Sequence, residues 1–142
     1  MTAKYFLDTN VLVYAFDCEH PRKQGIAKDY LQRLVTDEHY LISWQVVNEF
    51  CQVILRKLTP QISSAKLEEF VNGLPEQRIA PFTKAMITKA IHIQRVAHFA
   101  FWDSMILSTA ILSGCDMVLT EDLSHGQTIE QITIINPFRE DS

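Results

Sequence analysis

The sequence predicts an α/β sandwich built around a mostly parallel sheet. Short apolar runs of strand length alternate along the chain with longer segments whose apolar residues recur at helical spacing. Residues that favour helix starts or helix ends separate these segments. No internal repeat or low-complexity linker divides the 142 residues. We therefore expect one domain over residues 1–142, which is large enough to fold without a disulfide or a structural metal.

The first predicted strand is Tyr5–Leu7, a buried apolar run that ends at Asp8. Residues 11–16 follow as an apolar run of helix-compatible length. A second helix is expected to begin near Pro21, because proline suits the first turn of a helix. This order places Asp8 at the carboxyl end of a strand.

The second predicted strand, Tyr40–Ser43, leads directly into a helix. The hydroxyl of Ser43 suits the N-cap of this helix, whose apolar residues recur at helical spacing as far as Leu58. Thr59 and Pro60 are expected to stop the helix, because proline lacks the backbone N–H that would continue it.

The middle of the chain contains shorter elements. A helix is predicted from Ser64 to Asn72 with Gly73 as its C-cap, and Ile79–Ala80 is predicted as a short strand. Thr83 should cap a further helix that continues to about Val96.

The last third of the chain holds the longest apolar stretch. A helix is predicted from near Trp102 to Ser113, where Gly114 ends it. Met117–Leu119 and Ile132–Ile135 complete the predicted strands. Ligands of mostly parallel sheets gather beyond the carboxyl ends of the strands, so candidate functional residues are sought there.

Composition favours a cytoplasmic protein that does not contact a membrane. The three cysteines, an odd number without a Cys-x-x-Cys pair, suit a reducing cytosol. No apolar run is long enough for the core of a signal sequence or for a membrane span. The net charge of −4 argues against nucleic-acid binding through a basic surface.

Two acids follow predicted strands. Asp8 comes directly after the first strand, and Asp122 follows Met117–Leu119 after two intervening residues. Each acid is also explained as a helix cap or a turn residue, because short polar side chains are favoured at such positions. Neither acid on its own indicates a function.

Two further acids lie on predicted helices. Glu49 falls where the apolar face of its helix meets the polar residues Gln45 and Gln52, a position that is also typical of a solvated helix rim. Asp103 shares a helical face with apolar residues, and buried carboxylates are rare unless they are paired, hydrogen-bonded or bound to metal. Its alternative role is the N-cap of the helix.

Taken together, these four acids are expected to converge on one edge of the sheet. Carboxylates at close range repel one another and raise each other's pKa, unless a cation neutralises them. A ligand set of oxygen atoms, without paired histidines or cysteines, suits magnesium or manganese rather than zinc. The sequence therefore predicts a site for a hard divalent cation.

Four segments resemble the signature segments of PIN-domain nucleases. They are Phe6-Leu7-Asp8-Thr9-Asn10-Val11-Leu12, Asn48-Glu49-Phe50, Trp102-Asp103-Ser104 and Thr120-Glu121-Asp122. Their order and spacing fit the family from about Lys4 to Phe138. In size and layout the chain is similar to the VapC-type toxins of toxin-antitoxin systems.

The resemblance implies a three-layer α/β/α sandwich and a magnesium- or manganese-dependent endoribonuclease that leaves a 5′-phosphate and a 3′-hydroxyl. It also implies an RNA substrate, a protein antitoxin as partner and a homodimer. The positions that match the family's acids, which bind metal and catalyse, are Asp8, Glu49, Asp103 and Asp122, and those that match its supporting polar residues are Asn10 and Thr120.

Other functions stay open at the level of the sequence. A PIN nuclease with a housekeeping role in RNA processing would carry the same residues. An aspartate-dependent phosphatase also begins with a strand followed by an acid, but it needs a second acid two residues later, where this chain has Asn10. A third alternative is a non-catalytic module whose carboxylates bind a basic peptide.

Overall fold

The computed structural model describes residues 3–58 and 61–140 and contains, within them, six α-helices and six strands. The helices are α1 (Thr9–Tyr14), α2 (Pro21–Asp37), α3 (Trp44–Lys57), α4 (Ser64–Asn72), α5 (Lys84–Ala97) and α6 (Phe101–Leu112). The strands are β1 (Tyr5–Leu7), β2 (Tyr40–Ser43), β3 (Ile79–Ala80), β4 (Met117–Leu119), β5 (Thr128–Ile129) and β6 (Ile132–Ile135).

The strands form one sheet in the order β3-β2-β1-β4-β6-β5. Every neighbouring pair in the described chain is parallel except β5 and β6, which pair antiparallel at one edge. The order of the strands reverses between β1 and β4, because the chain moves from β1 outward to β3 and then returns to the other side of β1. Such a reversal opens a crevice at the carboxyl ends of the two central strands.

The helices form two groups. In the first group α1 packs on α2 and α3, and α3 packs on α4, whereas α5 and α6 pack on each other. The crossovers of the two groups run across the sheet in opposite directions, so right-handed connections put the groups on opposite faces. The predicted α/β/α sandwich with a mostly parallel sheet is confirmed.

The five predicted strands are present at their predicted residues, and the predicted helices agree to within one or two residues. Ser43, Thr83 and Gly73 cap their helices as expected. Gly114 follows α6 with a φ of +74°, a left-handed conformation that favours glycine. Thr59 and Pro60, which were expected to stop α3, lie outside the described residues.

Two details differ from the sequence analysis. The edge strand β5 was not predicted, because Thr128 is exposed and Ile129 only partly buried, so the segment does not form an apolar run. Asp103 is not the N-cap of its helix: α6 begins at Phe101, so Asp103 lies inside the first turn, and its N-cap Ala100 has no capping side chain.

The core is formed by the buried strands and by the helix faces that cover them. Phe50 on α3 contacts Phe16 and Phe70, with ring centroids 5.5 and 5.2 Å apart. Helix α6 is buried on all sides from Ser104 to Ile111, which is why its sequence lacks a polar face. No helix in the described part of the chain is both long and apolar enough to cross a membrane.

The buried part of α6 contains two serines with different surroundings. Ser108 Oγ donates a 2.6 Å hydrogen bond to the carbonyl of Met86. Ser104 Oγ is fully buried and has no hydrogen-bond partner among residues 3–58 and 61–140. A buried hydroxyl without a partner carries a desolvation cost that no contact offsets.

Replacing Ser104 by Ala should therefore raise the free energy of unfolding by about 1 kcal/mol, because the unpaired hydroxyl is removed. Ser108→Ala is the matched control and should lower it by about 1 kcal/mol, because a made hydrogen bond is lost. Urea unfolding followed by circular dichroism measures both. Destabilisation by Ser104→Ala equal to that of Ser108→Ala would contradict the assignment.

Candidate functional site

Asp8 lies where the two central strands end. Its backbone N–H donates to the carbonyl of Leu119, 3.0 Å away, which continues the pairing of β1 with β4. Oδ1 accepts the N–H of Thr9 at 2.7 Å and so caps α1, while Oδ2 accepts the hydroxyl of Thr120 at 2.8 Å. The residue is thus a helix cap and, at the same time, a buried carboxylate at the crevice.

Asn10 joins α1 to the segment after β4. Its amide nitrogen donates to Asp122 Oδ2 at 3.1 Å and to Thr120 Oγ1 at 3.3 Å, and its Oδ1 accepts the backbone N–H of Glu121 at 3.1 Å. Thr120 is fully buried, and its hydroxyl also accepts the N–H of Asp122 at 3.1 Å. The two predicted supporting residues therefore connect Asp8 with Asp122.

Glu49 lies on the rim of α3, partly buried, as the helical periodicity predicts. Its Oε1 accepts hydrogen bonds from Thr9 Oγ1 and from Gln45 Nε2, both at 3.3 Å. Gln45 Nε2 also donates to the carbonyl of Trp102 at 3.3 Å. Gln45 is buried and links Glu49 to the first turn of α6.

Asp103 reaches the same region from the opposite group of helices. Its partly exposed carboxylate accepts no hydrogen bond from any residue in the described ranges. Its electrostatic neighbours are Asp122 and Glu49. All of its carboxylate oxygens are therefore available to a ligand.

The four acids perturb one another, and Asp8, Glu49, Asp103 and Asp122 are called the acidic cluster below. Burial raises the pKa of Asp8 to about 6, and the charges of Glu49 and Asp122 add to the rise although hydrogen bonds from Thr120 and Thr9 oppose it. Burial is also the main cause that raises the pKa of Glu49 and of Asp103, with repulsion from the neighbouring acids as a smaller cause. Negative charge is thus concentrated at this edge of the sheet.

The chemistry of the acidic cluster fits a hard divalent cation, because carboxylates, a hydroxyl and an amide oxygen are the donors at hand. Within the described ranges, however, no three His, Cys, Asp or Glu side chains lie close enough to ligate one ion together. The acids meet at one edge without forming a compact ligand set. Direct ligation by three of them requires side-chain rotation or bridging water molecules.

A groove of about 560 Å³ begins at the acidic cluster and is called the main groove. Thr9, Asn10, Glu49 and Asp122 line one part of it, and Arg56 and Lys57 line another. The groove therefore combines carboxylates with two cationic side chains on the exposed end of α3.

Sequence reasoning missed a second cluster beside the main groove. Tyr14 donates a 2.8 Å hydrogen bond to Glu121, and Lys23 pairs with Glu121 and donates to the Tyr14 hydroxyl at 3.2 Å. Arg22 donates to the carbonyl of Phe138 at 2.7 Å. These two cations of α2, Arg22 and Lys23, are therefore engaged in internal contacts.

Sequence reasoning also missed the role of Gln45 in holding Glu49. The only signal in the sequence is that Gln45 lies one helical turn before Glu49.

Comparison with known proteins identifies one family. The model of the PIN domain matches residues 5–128. None of the curated proteins compared matches the sequence significantly.

Several solved structures are similar in fold. FitAcB from Neisseria gonorrhoeae has a TM-score of 0.68 at 21% identity, over 94% of this chain and 98% of that one. VapBC2 from Rickettsia felis, bound to a DNA fragment from its promoter, has a TM-score of 0.65 at 23% identity, over 92% and 96%. VapC20 from Mycobacterium tuberculosis, a toxin that cleaves the sarcin-ricin loop, has a TM-score of 0.61 at 18% identity, over 81% and 87%.

The raised pKa of Asp8 predicts a pH-dependent cost to stability. The folded state holds the proton more tightly than the unfolded chain, so the cost is absent below about pH 4 and complete above about pH 6. A rise from 3.8 to about 6 corresponds to about 3 kcal/mol. In metal-free buffer, the unfolding free energy of Asp8→Asn minus that of wild type should increase by about this amount between these pH values.

Urea unfolding at a series of pH values in the presence of chelator measures this difference. Asp29→Asn removes an exposed carboxylate of α2 and controls for the loss of one charge. A difference between Asp8→Asn and wild type that stays constant with pH would contradict the assigned rise.

Proposed function

The chain belongs to the PIN domain family, and from that premise we propose that it is a metal-dependent endoribonuclease that acts as the toxin of a toxin-antitoxin pair. The single observation that carries the proposal is the meeting of four acids, from two strands and two helices, at the crevice between β1 and β4. A module that only bound a basic peptide would not need Asp8 buried and fixed in direction by hydrogen bonds.

Magnesium or manganese is the proposed cofactor. Asp8 and Asp103 are the proposed direct ligands, because one is fixed by its hydrogen bonds and the other has free oxygens. Glu49 and Asp122 would bind the cation or orient the attacking water. A bound divalent cation lowers the pKa of water and stabilises charge on a phosphate.

The supporting residues fix the directions of the acids. Thr120 and the backbone of Thr9 hold both oxygens of Asp8. Asn10 holds Asp122, and Gln45 holds Glu49. Asn10 is a neutral amide with its polar atoms engaged, so it does not act as the second acid that an aspartate-dependent phosphatase requires.

The net charge of −4 does not exclude RNA as substrate. The excess negative charge is concentrated where a cation is proposed to bind, and a divalent ion inverts the local potential. Arg56 and Lys57 lie along the main groove and are the proposed contacts for the RNA backbone. The proposed contacts to the RNA backbone do not include Arg22 and Lys23 of α2, which are engaged in internal contacts.

We also propose a protein antitoxin and a homodimer, both of which the family resemblance implies. A solved structure of similar fold, from Klebsiella pneumoniae, is a toxin-antitoxin complex. An Arg or Lys side chain from an antitoxin would complement the negative charge of the acidic cluster. A housekeeping RNA-processing role uses the same chemistry, and an antitoxin gene beside this one would distinguish the two.

Removing one acid should abolish cleavage. Asp8→Asn is expected to reduce the rate of RNA cleavage by more than roughly 100-fold, because a proposed ligand is lost, whereas Asn10→Ala should cost roughly 10- to 100-fold, because it only disorders Asp122. Cleavage of total RNA in magnesium or manganese, with mapping of the 5′ and 3′ ends, measures both. Asp29→Asn is the control.

The same variants test the metal without reference to activity. Magnesium or manganese should raise the thermal unfolding temperature of the wild type at neutral pH, because binding relieves the repulsion in the acidic cluster. Asp8→Asn should lose most of this rise. Undiminished RNA cleavage by the wild type in excess chelator would refute the proposal, as would hydrolysis of p-nitrophenyl phosphate without cleavage of RNA.

The main groove predicts a second effect on binding. Arg56→Ser should weaken RNA binding and reduce the dependence of log Kd on log salt by about 0.7 for one lost phosphate contact on a single strand. Arg95→Ser removes an exposed arginine from α5, which does not line the main groove, and should leave both unchanged. Fluorescence anisotropy with labelled RNA at several salt concentrations measures the slopes.

A further inference from the structure

A second groove of about 300 Å³ adjoins the main groove and is called the side groove. Glu49 and Gln52 line both grooves. The remaining lining residues of the side groove are Gln45, Asn48, Phe82 and Trp102. The side groove is therefore continuous with the acidic cluster through Glu49.

Two large aromatic rings in the side groove are exposed to solvent. Trp102 on the first turn of α6 is 58% exposed, and Phe82, just before α5, is 48% exposed. Apolar side chains that are exposed together at one place on a surface mark binding sites, whereas single exposed ones need no explanation. The two rings come from separate elements, so the groove between them depends on the fold and not on a local sequence pattern.

The polar part of the lining suits a flat, uncharged ligand. Asn48 and Gln52 are exposed amides that donate and accept hydrogen bonds without net charge. Unpaired RNA bases are recognised by stacking on aromatic side chains and by hydrogen bonds to their edges. Aromatic rings and amides in one groove match both requirements.

We propose that the side groove binds an unpaired base of the RNA substrate beside the bond that is cut, with Trp102 and Phe82 as stacking surfaces and Asn48 and Gln52 as contacts to the base edge. The inference rests on the proposed ribonuclease function. It commits to RNA because the side groove adjoins the acidic cluster through Glu49, where the bond to be cut is proposed to bind.

Binding in the side groove is connected to the acids by a direct path. Gln45 Nε2 bonds both to Glu49 Oε1 and to the carbonyl of Trp102. Asp103 is the residue after Trp102 on the same turn. A base stacked on Trp102 therefore fixes the turn that carries one acid and the amide that holds another.

The test measures binding in the Asp8→Asn background, where RNA is not cut. The probe is a short, unpaired, fluorescein-labelled RNA of mixed sequence. A second set of probes has the same length, and each member lacks the base at a different position. Trp102→Leu and Phe82→Leu keep apolar bulk without a ring, Trp102→Tyr keeps a ring, and Leu112→Ala removes an exposed apolar side chain at the other end of α6.

Trp102→Leu should weaken binding of the intact RNA by roughly tenfold, and Trp102→Tyr should restore most of it, because stacking tolerates any ring. Phe82→Leu should weaken binding in the same direction, while Leu112→Ala should not. The probe that lacks the stacked base should bind the Trp102→Leu protein and its parent equally. Circular dichroism of each variant verifies folding.

Equal binding of the intact RNA by Trp102→Leu and its parent would overturn the inference, even if the wild type cuts RNA. So would a loss of self-association or of a protein partner on Trp102→Leu with RNA affinity unchanged, since the groove would then be a protein contact. Absence of cleavage by the wild type, with ring-dependent RNA binding intact, would instead refute the proposed catalysis and leave the base site standing.

Discussion

The parallel pairing of β1 with β4 is the contact on which the rest of the site depends. These two strands are more than one hundred residues apart in the sequence, yet Leu7 lies opposite Leu119 and both are buried. The pairing aligns the carboxyl ends of the strands, so Asp8 and Thr120 become neighbours. Glu49 and Asp103 are placed relative to this pair by helices α3 and α6, and Asp122 by the segment that follows β4.

The acidic cluster opposes folding stability. Burial of Asp8, Glu49 and Asp103, with repulsion between the acids as a smaller cause, raises the pKa of each of these three groups, which means that their charged forms are less stable here than in water. The fully buried, unpaired hydroxyl of Ser104 lies next to Asp103 in the same helix. Unfavourable local features of this kind are expected at functional sites, where the surrounding core must offset them.

The fold could be predicted from the sequence because its determinants are local. Strand-length apolar runs, the capping residues Ser43 and Thr83 and the periodicity of the helices specify the elements, and the parallel order follows from their alternation. The identity of the candidate acids could also be predicted, since each stands at the end of an element or on a helix rim. The edge strand Thr128–Ile129 and the true start of α6 could not be predicted, because Thr128 is polar and exposed and Ala100 gives no capping signal.

The distances between the acids and the hydrogen bonds that connect them could not be predicted from the sequence, for a different reason. The hydrogen bond from Gln45 to the carbonyl of Trp102 and the side groove itself depend on how the first turns of α3 and α6 lie relative to each other, which no single segment encodes. The carboxylates lie too far apart for three of them to ligate one ion within the described residues. This spacing has the same origin, since it depends on side-chain directions set by Thr9, Thr120 and Gln45.

The net charge of the protein bears on how the proposed base site in the side groove would contribute to RNA affinity. A chain with a net charge of −4 and two cations along its main groove gains little affinity from phosphate neutralisation. Affinity for a polyanion must then come mainly from contacts that salt does not screen, and base stacking is the strongest of these on a single strand. On the proposed ribonuclease function, exposed rings beside the acidic cluster would therefore favour unpaired rather than duplex RNA.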